Sequence, residues 1–351
     1  MLVLVGLLAA CGSSGLSSST QDASSTSTGS SNASAGTSSS GTYKIGIMAD
    51  ETGLAAATYT TSELGIKAAF DAINNAGGIN GHKLQYVMAD TQSTATGALT
   101  AAQKLVQQDG VFAIIPLTSV YYGAAQWLLQ QHVPVVGPGV DGPEWNEPSC
   151  TNLFDTIGNH DPDAILPGWG QFVKANGGTV CGSLGASNIP STTSAAQVFI
   201  ASCQMAGPKG APVSTAVPYG GTNVAPIALA FKNAGVNAIY SPQSPNTAYE
   251  LIAALKQLGV KIKVAVLAVG YGSDTLENKQ AVAAGQGLGF SVTQMPIEVN
   301  SPATAKEKQV LSAVGITGAP TYAEGTLMSR PRRCRPGWRR PGRGTSPRPS
   351  S

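Results

Sequence analysis

Ile66, Ala69, Phe70 and Ile73 recur at i, i+3, i+4 and i+7, the spacing of one buried helical stripe. Asn74-Asn75 and then Gly77-Gly78 stop that helix, since glycine readily takes the left-handed conformation of a helix end. Asn80-Gly81 reads as a second tight turn, and Leu84-Gln85-Tyr86-Val87-Met88-Ala89 leaves it as a strand. Upstream, Tyr43-Lys44-Ile45-Gly46-Ile47-Met48 is another strand, so the three elements make one βαβ unit. The alternation continues. A helix is predicted from Thr94 to Gln108 with Leu99, Ala102 and Val106 as its inner face. Val111 to Pro116 follows as a strand whose continuous apolar run suits burial on both faces. A helix around Tyr121 to Gln131 and a strand at Val133-Pro134-Val135-Val136 complete the series.

A glycine- and proline-rich passage around Leu153 to Gly168 separates this series from a second one. There the pattern predicts strands at Thr179 to Leu184, Pro212 to Val217, Ala238 to Tyr240 and Val264 to Val269. Between them fall helices at Thr192 to Met205, Val224 to Ala234 and Ala248 to Leu258. Gly287 to Gln294 reads as a strand returning toward the first series, and Ala303 to Val314 as a helix there. Both halves are α/β. Open parallel sheets bind ligands beyond the carboxyl ends of their strands. That draws attention to Asp50-Glu51-Thr52-Gly53, Asp90-Thr91-Gln92, Leu117-Thr118-Ser119 and Pro138-Gly139-Val140-Asp141-Gly142.

The wording of Ala72-Ile73-Asn74-Asn75-Ala76-Gly77-Gly78-Ile79-Asn80-Gly81-His82-Lys83-Leu84, followed by Asp90, resembles the substrate-binding proteins of branched-chain amino-acid ABC transporters. The resemblance continues through Lys104-Leu105-Val106-Gln107-Gln108-Asp109-Gly110-Val111-Phe112-Ala113-Ile114-Ile115. It implies a two-lobed type I periplasmic-binding-protein fold, each lobe an open parallel sheet flanked by helices. Residues 43–156 and 295–328 would form lobe 1, and 157–294 lobe 2. It also implies an extracytoplasmic receptor without a cofactor, delivering a small polar solute (an amino acid or related carboxylate or amide) to ABC permease and ATPase subunits. A ligand-sensing regulator of the same fold is the alternative.

By this resemblance Ser119 falls where the family's carboxylate-binding serine sits, with Thr118 beside it; a plain helix cap is the other reading of Ser119. Gly139, Val140, Asp141 and Gly142 align with a second carboxylate-binding loop, in which Val140 and Gly142 replace the usual residues and one hydroxyl is lost. Thr52 belongs to the first strand-end segment. In lobe 2, Asn188 lies in the loop where the family often has a tyrosine, and Ser244 stands near another aromatic position. The acid that would pair with a ligand ammonium falls near Val269, and valine cannot form that charge-assisted bond. Either Asp274 or Asp141 substitutes, or the ligand is not an ordinary α-amino acid. Tyr219 and Tyr271 either line the pocket or pack.

The formal charge of +2 invites a nucleic-acid partner until its placement is seen. Residues 329–351 hold eight of the 21 Lys and Arg and none of the acids, leaving thirteen cations against nineteen acids elsewhere. That tract, rich in Arg and Pro, lacks apolar periodicity and is expected to be an out-of-frame tail that leaves lobe 1 incomplete. At the other end, Leu8-Ala9-Ala10-Cys11-Gly12 resembles a bacterial lipoprotein signal over residues 1–11, with lipid on Cys11 anchoring the chain to the cell membrane. In Gly12 to Gly41, Ser, Thr and Gly fill 23 of 30 positions. Residues 12–42 are therefore expected to be a disordered tether. Cys181 should lie early on a strand and Cys203 late on the next helix, ends that are close in a βα unit, so they form either a disulfide or two buried thiols. His82, His132 and His160 match no metal spacing. No nucleophile elbow or phosphate loop is present, and catalysis is unsupported.

Overall fold

The computed structural model describes residues 41–139, 142–156, 165–285, 287–292 and 294–326. Cys11, Val140, Asp141, most of the expected tether and the Arg/Pro-rich tail lie outside the described residues. The first lobe is built from β1 (Thr42–Ala49), α1 (Ala56–Tyr59), α2 (Ser62–Asn75), β2 (Lys83–Asp90), α3 (Ala95–Gln103), β3 (Ala113–Leu117), α4 (Tyr122–Gln130), β4 (Val135–Gly137) and β5 (Leu153–Asp155). The second holds α5 (Pro167–Ala175), β6 (Val180–Ser183), α6 (Pro190–Ala206), β7 (Lys209–Gly210), α7 (Ala225–Asn233), β8 (Ala238–Ser241), α8 (Pro245–Gln257), β9 (Val264–Leu267), α9 (Ser273–Glu277), α10 (Lys279–Gly285) and β10 (Gly289–Phe290). The chain then returns through α11 (Pro302–Ser312) and α12 (Tyr322–Thr326), which both pack on α2.

Every strand pair is parallel. The sheets run β2-β1-β3-β4-β5 and β7-β6-β8-β9-β10. Counted from its own first strand, each sheet therefore has the same order, 2-1-3-4-5. The direction of winding reverses between β1 and β3 in one lobe and between β6 and β8 in the other. A ligand crevice opens at such a reversal.

The stripe on α2 is buried as its spacing requires, with Ile66, Ala69, Phe70 and Ile73 against Ile45, Ile47 and Leu84. At the helix end Gly78 has φ +82°, and a Cβ there would lie 2.1 Å from the His82 carbonyl oxygen. Only glycine fits. On α3 the buried face is Ala98, Ala101 and Ala102, continued by Leu105 in the turn that follows, while Leu99 and Val106 are only half-buried. The alanines allow α3 to lie close against Ala124, Ala125 and Leu128 of α4, so within α3 itself small residues mark the inner side. The backbone widens into a π turn over Lys104–Gln108.

Other expectations need correction. The passage after Leu153 contains β5 and later α5, two elements the apolar pattern did not show. Pro212 to Val217 is not a strand; β7 is two residues long and Ser214 makes only an isolated bridge to Leu184. Pro212 cannot donate to a ladder. Gly287 to Gln294 shortens to β10, which pairs with β9 inside the second sheet. α6 and α8 begin earlier than apolar spacing suggests because proline opens each first turn. Cys181 on β6 and Cys203 on α6 are joined by a disulfide with Cα atoms 6.5 Å apart.

Candidate functional site

At the first lobe's reversal point the carboxyl ends of β1, β2 and β3 meet around Asp50, which is fully buried. Asp50 Oδ1 accepts the Thr118 hydroxyl at 2.5 Å and the Thr91 hydroxyl, and Oδ2 accepts the Ser119 N–H at 3.0 Å. Burial pushes the Asp50 carboxyl above its ordinary range; the Thr118 and Thr91 hydroxyls and the Ser119 N–H pull it back in part. Thr118 and the Ser119 main chain are thus turned toward a resident carboxylate. The Thr118 oxygen also accepts the Val120 N–H at 3.1 Å, which makes it a strut of the loop. Among the described residues the Ser119 hydroxyl has no hydrogen-bond partner.

Thr52 is similarly engaged. Asp90 at the end of β2 accepts the Thr52 hydroxyl at 2.5 Å and the N–H groups of Thr52, Glu51 and Gln92 at 3.1, 3.1 and 2.8 Å. Burial opposes the Asp90 charge, but these bonds outweigh it and hold the carboxyl below its ordinary value. A carboxyl lowered in the folded state stabilises the fold above its unfolded value and loses that contribution as pH falls. We expect Asp90→Asn to flatten the loss of stability below about pH 4, measured by urea unfolding at successive pH values. A variant that falls off as steeply as the wild type would exclude this role for Asp90.

In the second loop the Gly139 N–H donates to Asp155 Oδ1 at 3.0 Å. The carboxyl packs so closely that a Cβ on Gly139 would be 2.9 Å from Asp155 Cγ. Gly142 is extended and leads into a short 3-10 turn at Pro143–Asn146.

In the second lobe, sequence reasoning missed Gln243. It is fully buried beyond β8, and its Nε2 donates to the carbonyls of Gly185, Val217 and Pro218 at 3.1, 3.2 and 3.5 Å. Its only signal was an amide side chain inside Ser241-Pro242-Gln243-Ser244-Pro245, a run that otherwise offers small or rigid residues. Ser244 caps α8, its oxygen accepting the Thr247 N–H at 3.4 Å. Asn188 Oδ1 accepts the Tyr219 N–H at 2.8 Å, and the Asn188 carbonyl accepts the Tyr122 hydroxyl of the first lobe at 3.1 Å. Tyr219 is buried with Ala186 and Ile189 against Ala55 and Tyr59, an apolar contact between the lobes. Val269 is half-buried past the end of β9. Tyr271 donates its hydroxyl to Glu298 and accepts the Ile297 N–H at 3.0 Å, bracing the returning chain. Burial, then Glu298, pushes that phenol up to about 12.

A cavity of about 270 Å³ lies between the lobes. Leu54, Ala57 and Thr58 form one wall; Ser244, Asn246 and Asp274 belong to the other. The structure therefore brings Ser244 and Asp274 together and keeps Thr118, Ser119, Gly139, Tyr219 and Tyr271 out of this wall. Asp274 Oδ1 accepts the Tyr322 N–H at 3.1 Å, and burial raises the carboxyl above its ordinary range. The described residues contain no cluster of His, Cys, Asp or Glu able to hold a metal, and no helix long and apolar enough to cross a membrane.

The family model for the periplasmic binding protein matches residues 42–327. The chain belongs to this family. An amino acid binding protein of Pseudomonas aeruginosa is 29% identical over 133 residues, 35% of this chain and 34% of that protein. The Leu/Ile/Val-binding protein BraC3 of Rhizobium johnstonii is 32% identical over 121 residues, 34% of this chain and 33% of its own length. These alignments span about a third of each relative. In three dimensions the leucine binding protein LivK of Thermotoga maritima superposes with a TM-score of 0.69 at 18% identity, covering 82% of this chain and 79% of that one. A solute binding protein from R. palustris in complex with benzoate gives 0.68 at 14% identity, covering 82% and 78%. This periplasmic binding protein thus has the two-lobed fold of branched-chain amino-acid transporter binding proteins.

Proposed function

We propose that this periplasmic binding protein is a non-catalytic, extracytoplasmic receptor. It is anchored to the cell membrane by lipid on Cys11, closes on a small polar solute and delivers it to an ABC permease with its ATPase subunits. An amino acid or related carboxylate or amide is the proposed solute class. The observation that carries the reading is the cavity between the lobes, with Leu54, Ala57 and Thr58 facing Ser244, Asn246 and Asp274. Contacts from both sides favour the closed arrangement, which is how a hinge-closing receptor couples binding to shape. The Leu/Ile/Val-binding and leucine-binding relatives support the solute class.

The test is thermal denaturation of the full chain against a panel of amino acids, their amides and small carboxylates. At least one member at a hundredfold excess over its Kd should stabilise the fold by about 2.7 kcal/mol. A panel without any shift would remove the proposed solute class. Cys11→Ala should release the protein from the membrane fraction; unchanged sedimentation would sink the anchor.

A further inference from the structure

The second-lobe wall of the cavity carries hydroxyl groups, and the direction of their hydrogen bonds decides what that wall can hold. The Thr275 hydroxyl donates to the Gly270 carbonyl at 2.5 Å, which uses its one hydrogen. The Tyr249 hydroxyl lies 3.0 Å from the Thr275 oxygen, so Tyr249 is the donor of that pair. Its own oxygen is left with lone pairs only. The start of α8 follows the same logic. The Thr247 hydroxyl donates to the Gly221 carbonyl at 2.9 Å, so Ser244, 2.9 Å from the Thr247 oxygen, donates to it. Ser244 and Tyr249 both line the cavity, and both have spent their hydroxyl hydrogens on the protein.

Asp274 is the one charged residue among the described residues that line the cavity. Ionised, it too only accepts. Its Oδ1 receives the Tyr322 N–H at 3.1 Å, and neither ion pair among the described residues, Lys67–Asp71 or Lys104–Asp109, gives it a cation. Burial opposes the charge on Asp274, and a positive group in the cavity would offset that cost. The side-chain donors on the lining are neutral, from Thr58, Asn246 and Asn278, and Leu54, Ala57 and Pro245 add apolar surface.

We propose that Ser244, Tyr249 and Asp274 make the cavity selective for the ammonium group of a primary amine with a small apolar body, and that this wall does not read a carboxylate. A primary ammonium brings three N–H donors and a positive charge to a wall of acceptors with one negative charge. A carboxylate brings further acceptors and a like charge. Selectivity of this kind rests on the receptor reading for a solute to act on. It keeps amino acids and amino amides in the solute class and removes carboxylates that lack an amine.

Titration calorimetry of the full chain with three molecules of one branched carbon skeleton tests this: isoamylamine, leucine and 4-methylpentanoate. Isoamylamine should bind at least as tightly as leucine, and 4-methylpentanoate about tenfold more weakly than either, or less. Asp274→Asn, which keeps an oxygen for the Tyr322 N–H, should weaken isoamylamine by about tenfold. Tyr249→Phe keeps the ring and removes one acceptor, and should weaken it by roughly fivefold, so the test survives if Asp274→Asn does not fold. Unchanged isoamylamine affinity in the folded variants overturns the proposal. So does 4-methylpentanoate binding as tightly as isoamylamine, or leucine binding where isoamylamine does not, and both of these leave the receptor reading standing. If none of the three binds, the amine selectivity is refuted, and the receptor reading is decided separately by the wider solute panel.

Discussion

Exchanging Gln243 for leucine is expected to lower the unfolding free energy by about 3 kcal/mol. The side chain is fully buried, and its amide ties the loop after β6 to the loop before α7 through the Gly185 and Val217 carbonyls at 3.1 and 3.2 Å. Leucine has a similar volume, so the loss would not come from a cavity. It would come from the Gly185 carbonyl and the Ser244 N–H, which lose the amide as partner, at roughly 1–3 kcal/mol for each unsatisfied group. The Val217 and Pro218 carbonyls keep the Ser187 and Gly221 N–H groups. Both tied segments also carry Asn188 and Tyr219, which meet the first lobe. Urea unfolding followed by circular dichroism gives the measurement. A variant within about 0.5 kcal/mol of the wild type would show that water or a loop shift replaces the amide.

Loss of the Cys181–Cys203 bond comes next in size. The two positions are 22 residues apart, and closing a loop of that length removes enough disorder from the unfolded chain to be worth about 3 kcal/mol. Both sulfurs are buried between β6 and α6, beside Val173, Phe199 and Val264. The double variant Cys181→Ala/Cys203→Ala should therefore lower Tm by roughly 6–12 °C, read by calorimetry. The loss should fall on the second lobe, leaving protection from hydrogen exchange in β1 and β2 unchanged. A uniform loss across both lobes, or none, would refute the assignment.

The scaffold was legible because it repeats. The α2 stripe, the two glycine turns and the continuous apolar strands each carry their signal within a short window, and buried periodicity needs no distant partner. α3 shows the limit of that logic. Leu99 and Val106 looked like its inner face because they are large, but the helix packs through alanines. The site was less legible for a different reason. Asp50 meets Thr91 and Thr118 across 41 and 68 positions, and Gln243 meets Gly185 across 58. Nothing local distinguishes such a residue from any polar residue at a strand end. The resemblance pointed to loops at the strand ends, but not that Asp50 and Asp155 accept the Thr91, Thr118, Ser119 and Gly139 donors there.

The contacts between the lobes also bear on kinetics. The Tyr122 hydroxyl holds the Asn188 carbonyl, Tyr219 packs on Ala55, and the backbone of Gly220 abuts Leu54. All of these belong to the protein alone, so part of what keeps the lobes together does not depend on the cargo. In the proposed receptor, wide opening of the cleft would require these contacts to part first. At high solute concentration capture would then be paced by how often the lobes separate, not by how often a molecule arrives.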